Sequence, residues 1–147
     1  MHIREANEND LYALLRLYTQ LHDNPMPVPD DALRQLWQRM LRMDGQHALL
    51  GEEDGEIVSS CVLTVIPNLT HGQRPYALVE NVITDGAHRG KGCATAVLHA
   101  AEDIAVREGC CKIMLLTASK LESTLRFYER AGYNRHDKTA FIRWLPE

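Results

Sequence analysis

Val79-Glu80-Asn81-Val82-Ile83-Thr84-Asp85-Gly86-Ala87-His88-Arg89-Gly90-Lys91-Gly92-Cys93-Ala94-Thr95 is the stretch from which the rest of the chain can be read. A β-branched apolar run halts at Asp85-Gly86, and a basic, glycine-bearing turn follows. Apolar residues then recur at helical spacing: Ala94, Val97, Leu98, Ala101, Ile104 and Ala105. The pattern is strand, turn, helix. Glycines at 90 and 92 let a backbone approach a ligand closely. The first amides of a helix have no partner within it, and the helix dipole adds roughly half a positive charge at that end. With Arg89 and Lys91 alongside, such amides suit a pyrophosphate.

Two familiar phosphate patterns fail here. The P-loop pattern needs a glycine five residues after Gly86, where the chain has Lys91. The dinucleotide fingerprint is met by Gly90 and Gly92 but not by Thr95, and such a turn belongs in the first strand-helix unit, not after much of the chain. Arg89-Gly90-Lys91-Gly92-Cys93-Ala94 instead matches an Arg-or-Gln, two residues, Gly, one residue, Gly-or-Ala signature. It is preceded by Val79-Glu80-Asn81-Val82 and followed by Arg126-Phe127-Tyr128-Glu129-Arg130-Ala131-Gly132-Tyr133. In these three segments, taken in order, the chain resembles the GNAT family of N-acetyltransferases.

Working outward, 147 residues make one domain with a sizeable core, so 1–147 is read as a single domain. A net charge of −4 with 24% charged residues of mixed sign offers no basic field for nucleic acid and no polybasic membrane patch. The N-terminal residues lack the apolar core of a signal peptide, and no apolar run approaches about 18 residues, so a cytoplasmic protein is expected. The cysteines at 61, 93, 110 and 111 lie in or beside apolar runs without CxxC spacing and read as reduced core thiols. Cys93 stands apart because a helix N-terminus can acidify a thiol. The histidines form no HxxxH or HExxH pair, and no metal site is expected.

Strand 2–6 opens the chain, and Asn7 caps a helix with the stripe Leu11, Leu14, Leu15, Tyr18 and Leu21. Prolines at 25, 27 and 29 end it. Asp30 or Asp31 caps a second helix carrying Leu33, Leu36, Trp37, Met40 and Leu41. This helical pair is either packing scaffold or the wall of an acceptor site. Strands 47–53 and 56–66 form a hairpin about Asp54-Gly55, and 76–84 is the central strand. A helix over about 90–108 stops at Gly109, and 111–117 reads as a strand buried on both faces. Ser119 and Glu122 read as the capping box of a last helix ending at Gly132, and 133–136 with 139–145 as a closing hairpin.

That order fits the resembling family across nearly the whole chain. It implies an α+β (α/β/α) fold with a mixed, mostly antiparallel sheet of six to seven strands and four helices, in which a splayed parallel strand pair binds acetyl-CoA. By the same resemblance the coenzyme contacts Val82, Ile83, Thr84, Arg89, Gly90, Lys91, Gly92, Cys93, Ala94, Thr95, Ser119 and Tyr128. A homodimer is also expected.

An alkyl ammonium of pKa about 10.4 is neutral in only about one molecule in 2,500 at pH 7, a handicap of about 4.6 kcal/mol before acyl transfer begins. A positioned base offsets much of it. Glu80, a carboxylate within an apolar strand, is the candidate, since burial would raise its pKa. The alternative is that strand alternation merely turns it to solvent. The resemblance assigns the oxyanion-stabilising amide to Val82 and the general acid to Tyr128, which is otherwise a core aromatic beside Phe127. The acceptor is read as a small-molecule amine, because Leu115-Leu116-Thr117-Ala118-Ser119-Lys120 and Phe127-Tyr128-Glu129 look like the branch acting on amino sugars or aminoalkylphosphonates. Asp23, Asp31 and Glu80 suit a cationic acceptor; His22 and His71 suit a phosphate. Protein amines, or a non-catalytic acyl-CoA sensor, are the alternatives.

Overall fold

The computed structural model describes residues 1–22 and 24–146. Asp23, named above as a cation-attracting residue, lies outside them. The chain divides into two compact units, Met1–Leu115 and Leu116–Glu147.

The first unit contains one sheet of five strands, β1 (His2–Glu5), β2 (Gln46–Glu53), β3 (Glu56–Ile66), β4 (Tyr76–Thr84) and β5 (Ile113–Leu115), lying in chain order. All neighbours are antiparallel except β4 and β5. The β2–β3 hairpin turns on Asp54 and Gly55, whose φ angles of 52° and 81° are the paired positive values that a two-residue turn requires. Helices α1 (Leu11–Tyr18), α2 (Asp31–Arg42) and α3 (Cys93–Arg107) complete this unit. Asp30 is the α2 cap, its carboxylate accepting from Leu33 N at 2.8 Å.

β3 is the centre of the fold, with residues 58 to 63 buried. Alternation sends Ser60 and Cys61 to opposite faces. Cys61 Sγ lies 3.5 Å from Val97 O of α3, and Ser60 faces Tyr18 at the end of α1, so each face of the sheet carries a helix. Burial pushes the Cys61 thiol up to about 12, as befits a core filler. A second cluster joins Leu11 and Leu14 of α1, Trp37 of α2 and Leu50 of β2. Buried Leu17, absent from the predicted stripe, completes the inner face of α1. Arg4 ties the sheet edge to the start of α1: its guanidinium grips both Asp10 oxygens at 2.7 and 2.8 Å, and its Nε donates to Glu52 at 2.9 Å. That fork, with the Asn7 amide, holds the Asp10 carboxyl below its ordinary range.

The second unit carries α4 (Glu122–Arg130), with Phe127, Tyr128 and Tyr133 in ring contact. Three expectations are corrected here and at its border. Residues 133–146 form no strand, so the described sheet has five strands and not six to seven. A strand needs a hydrogen-bonding neighbour, and Phe141, Ile142, Trp144 and Leu145 are instead 93%, 66%, 89% and 79% exposed. β5 spans three half-buried residues where a doubly buried strand over 111–117 was predicted. Ser119 forms no capping box, since Leu121 is the N-cap residue and Ser119 Oγ accepts from Leu121 N at 3.3 Å, ahead of the helix.

Candidate active site

β4 changes character at Val79. From Ala77 to Val79 it is paired on both edges, with β3 and with Ile113, Met114 and Leu115 of β5. From Glu80 to Thr84 it continues beside β3 without β5. At that point Val62 pairs with Glu80 and Ser60 with Ile83, so Asn81 and Val82 together oppose the single residue Cys61. This is a β-bulge, and Asn81 takes the left-handed φ of 53° that such a site demands. Asparagine is among the few residues that accept it. The bulge disrupts the ladder where the resemblance places the oxyanion amide of Val82.

Glu80 is exposed. The burial expected of it is absent, because alternation turns Val79 inward and Glu80 out. Beyond the bulge the backbone is fixed from below: Ser59 Oγ donates to Ile83 O at 2.9 Å and lies 2.9 Å from Thr84 Oγ1, and Asp85 N donates to Val58 O at 2.8 Å.

The turn follows directly. Asp85 caps a short 3-10 helix, Gly86–His88, accepting from Ala87 N at 3.0 Å and lying 2.9 Å from His88 Nδ1. Gln20 donates to it at 2.8 Å, and Gln20 and His88 together lower its carboxyl to about 2. Arg89 Nε reaches back to Thr84 O at 3.4 Å. Gly90 and Gly92 have φ of 75° and 83°, and a Cβ built on either would meet nothing within 4 Å. Their glycine identity answers to backbone conformation, and the space beside them is open.

Gly92 is the N-cap of α3 and has no side chain to satisfy the helix's first amides, and no acidic residue occupies the first turn. With Arg89 and Lys91 exposed, this cradle fits a diphosphate. Ala94 and Thr95 are half-buried in the same turn, and Cys93 is only 4% exposed, which closes its thiol to reagents. Glu80, Val82, Ile83, Thr84 and residues 89 to 95 are thus gathered on one continuous strand-turn-helix run.

Ser119 and Tyr128 belong to the second unit. Ser119 N donates to Thr117 Oγ1 at 3.2 Å. Tyr128 is half-buried on α4, its ring 4.9 Å from Phe127 and edge-on to Tyr133 at 6.3 Å. Asp31, a candidate for a cationic acceptor, is spent on Arg34 at 3.0 Å. Sequence reasoning missed Gln20, which meets Asp85 from 65 residues away. It also missed the pair beneath the bulge. The Tyr18 hydroxyl and Ser60 Oγ are buried facing each other, with Asn81 also beside the phenol, and burial raises the Tyr18 phenol. Asn81 carried a usable signal, its tolerance of positive φ, whereas nothing local marks Gln20.

No helix among the described residues is long and apolar enough to cross a membrane. Residues 9–133 match the Acetyltransferase (GNAT) family. The chain is 29% identical over 140 residues to a glucosamine 6-phosphate N-acetyltransferase of Trypanosoma brucei brucei, covering 94% of this chain and 92% of that protein. Among solved structures, a candidate acetyltransferase from Agrobacterium tumefaciens str. C58 superposes with a TM-score of 0.91 at 34% identity, over 98% of this chain and 100% of the other. The glucosamine-6-phosphate N-acetyltransferase of Arabidopsis thaliana, at 19% identity, shares the fold with a TM-score of 0.86 over 99% and 98% of the two chains. Three motifs in family order, the parting of β4 from β5 and these likenesses agree, and the chain belongs to the GNAT family of N-acetyltransferases.

Proposed function

We propose that the chain transfers an acetyl group from acetyl-CoA directly to the primary amine of a small molecule, an amino sugar phosphate in particular. The observation that carries the acceptor is the likeness, along nearly the whole chain, to an enzyme named for glucosamine 6-phosphate. Acetyl-CoA supplies an activated thioester. The amides opening α3, with Arg89 and Lys91, hold its diphosphate, while Val82, Ile83 and Thr84 line the arm that leads to the acetyl group. Cys93, Ala94 and Thr95 form the floor of the cradle, and the family resemblance adds Ser119 to the coenzyme-binding residues.

In this reading Glu80 takes the ammonium proton. Its exposure leaves it within reach of water and of an incoming amine. The Val82 amide stabilises the charge that develops on the attacked carbonyl oxygen. Tyr128 returns a proton to the departing thiolate, an ordinary phenol and an ordinary thiol being close enough in acidity for that transfer. The enzyme is read as cytoplasmic and as a homodimer. Support for the dimer is the run Phe141, Ile142, Trp144 and Leu145, which a single chain leaves exposed.

The test follows free-thiol release from acetyl-CoA with glucosamine 6-phosphate, glucosamine and a lysine peptide as acceptors. The expected result is a kcat/KM at least about tenfold higher for the phosphorylated sugar, the size of one charged contact. A preference for the peptide would move the chain to protein acceptors. No thiol release with any of the amines, despite tight coenzyme binding, would favour the sensor.

A further inference from the structure

The turn that opens toward α3 is held in place by a residue far from it in sequence. Gln20 lies two residues beyond the end of α1, its own amide bonded to Leu17 O at 3.0 Å. Its side chain makes two contacts at once. Nε2 donates to Asp85 Oδ1 at 2.8 Å, and Oε1 accepts from Gly86 N at 2.9 Å. From Gly86 to Gly92, the other long-range polar tie among the described residues is the pair of His88 Nε2 and Glu53 at 3.7 Å. The remaining polar ties of this segment among the described residues are local: Asp85 to Ala87 and His88, Arg89 to Thr84, and Ala96 N to Gly92 O.

The side chain type is specific to the task. Asp85 offers only acceptors and the Gly86 amide is only a donor, so a residue serving both must present a donor and an acceptor a little over 2 Å apart, which a carboxamide does. Glutamate would lose the donor and bring like charge to Asp85. Lysine would lose the acceptor.

We infer that Gln20 is a positioning residue for the coenzyme turn, fixing the direction in which Arg89 to Gly92 leave β4 and so setting affinity for the diphosphate of the acyl donor. This rests on the coenzyme reading of that turn. Because Gln20 heads the segment joining α1 to α2, it also makes the geometry of the cradle sensitive to how that segment sits.

The experiment compares two donors, acetyl-CoA and S-acetylpantetheine, which lacks the diphosphate, on the wild type and on Gln20→Ala, Gln20→Glu and Gly92→Asp. Gln20→Ala and Gln20→Glu are expected to raise KM for acetyl-CoA about tenfold, as two exposed hydrogen bonds would. Melting temperature should stay unchanged, and kcat/KM for S-acetylpantetheine within twofold of wild type by the same logic, since that donor never touches the turn. Adding Asp85→Asn to Gln20→Glu reverses donor and acceptor and should recover most of the affinity. Equal losses with both donors, no loss with acetyl-CoA, or no recovery in the double variant would overturn the role of Gln20. Gly92→Asp separates the two ideas. If it discriminates between the donors and the Gln20 variants do not, the positioning role alone falls; if it also fails to discriminate, the coenzyme reading falls and the inference with it.

Discussion

The two halves of β4 belong to one strand and have different surroundings. Ala77, Leu78 and Val79 are laddered on both edges, and Ala77 and Val79 are 0% and 1% exposed. Glu80 and Asn81 are exposed, paired on one edge only and broken by a bulge. The first half holds the sheet together; the second leaves backbone groups and a carboxylate available to a ligand. A strand that was satisfied along its whole length would have no free backbone group to offer a ligand.

If that division is right, changes beyond Val79 should cost function and changes before it should cost stability. The largest effect is expected at the turn that ends the exposed half. Gly92→Asp places a carboxylate and a strained φ beside the diphosphate, and calorimetry should show acetyl-CoA affinity falling by roughly 100-fold, the size of one or two charged hydrogen bonds. The variant should still fold, since a Cβ there meets open space.

Glu80→Gln comes next. Turnover at neutral pH should drop by roughly 100-fold with coenzyme affinity retained, the usual contribution of a positioned base. The deficit should shrink as pH rises through the acceptor ammonium's own pKa, above which the acceptor loses its proton unaided. A variant that keeps the wild-type pH-rate profile would remove Glu80 from the chemistry.

Asn81 sharpens the comparison. Valine cannot sit comfortably at a φ of 53°, so Asn81→Val should straighten or shift the bulge and lower kcat about tenfold, consistent with about 1–3 kcal/mol of backbone strain. Asn81→Gly, which accepts that φ, should stay within about twofold. If both variants lose rate equally, the side chain and not the bulge is what matters. Below the boundary, Val79→Ala should cost about 2 kcal/mol in denaturant unfolding by opening a cavity, and kcat per folded molecule should change little.

Much of this division was legible beforehand. β3 and β4 begin and end at the predicted residues, because Asp54-Gly55 and Asp85-Gly86 bound their apolar runs. The glycine turn ahead of α3 was legible too, since glycine spacing and basic residues are local signals. The bulge was not, because a two-against-one register depends on the partner strand and not on the 76–84 run itself. The same limit applies to the end of the chain. Thr139 to Leu145 has strand-like composition, but composition supplies no hydrogen-bonding neighbour, and no strand formed. Glu80 shows a related error. Its apolar setting in sequence implied burial, and the alternation that makes Val79 core turned it outward. Gln20 lies beyond any local pattern, as its partners are set by tertiary packing alone.

The chain's two tryptophans occupy opposite environments. Trp37 is 4% exposed in the α1–α2 core, and Trp144 is 89% exposed near the C-terminus. Their emission will therefore separate: a blue-shifted component shielded from iodide, reporting on the helical pair, and a red-shifted, readily quenched one, reporting on the terminal segment. Titrating protein concentration or acetyl-CoA while following the quenchable fraction would read the surroundings of the two regions independently, without introducing a label.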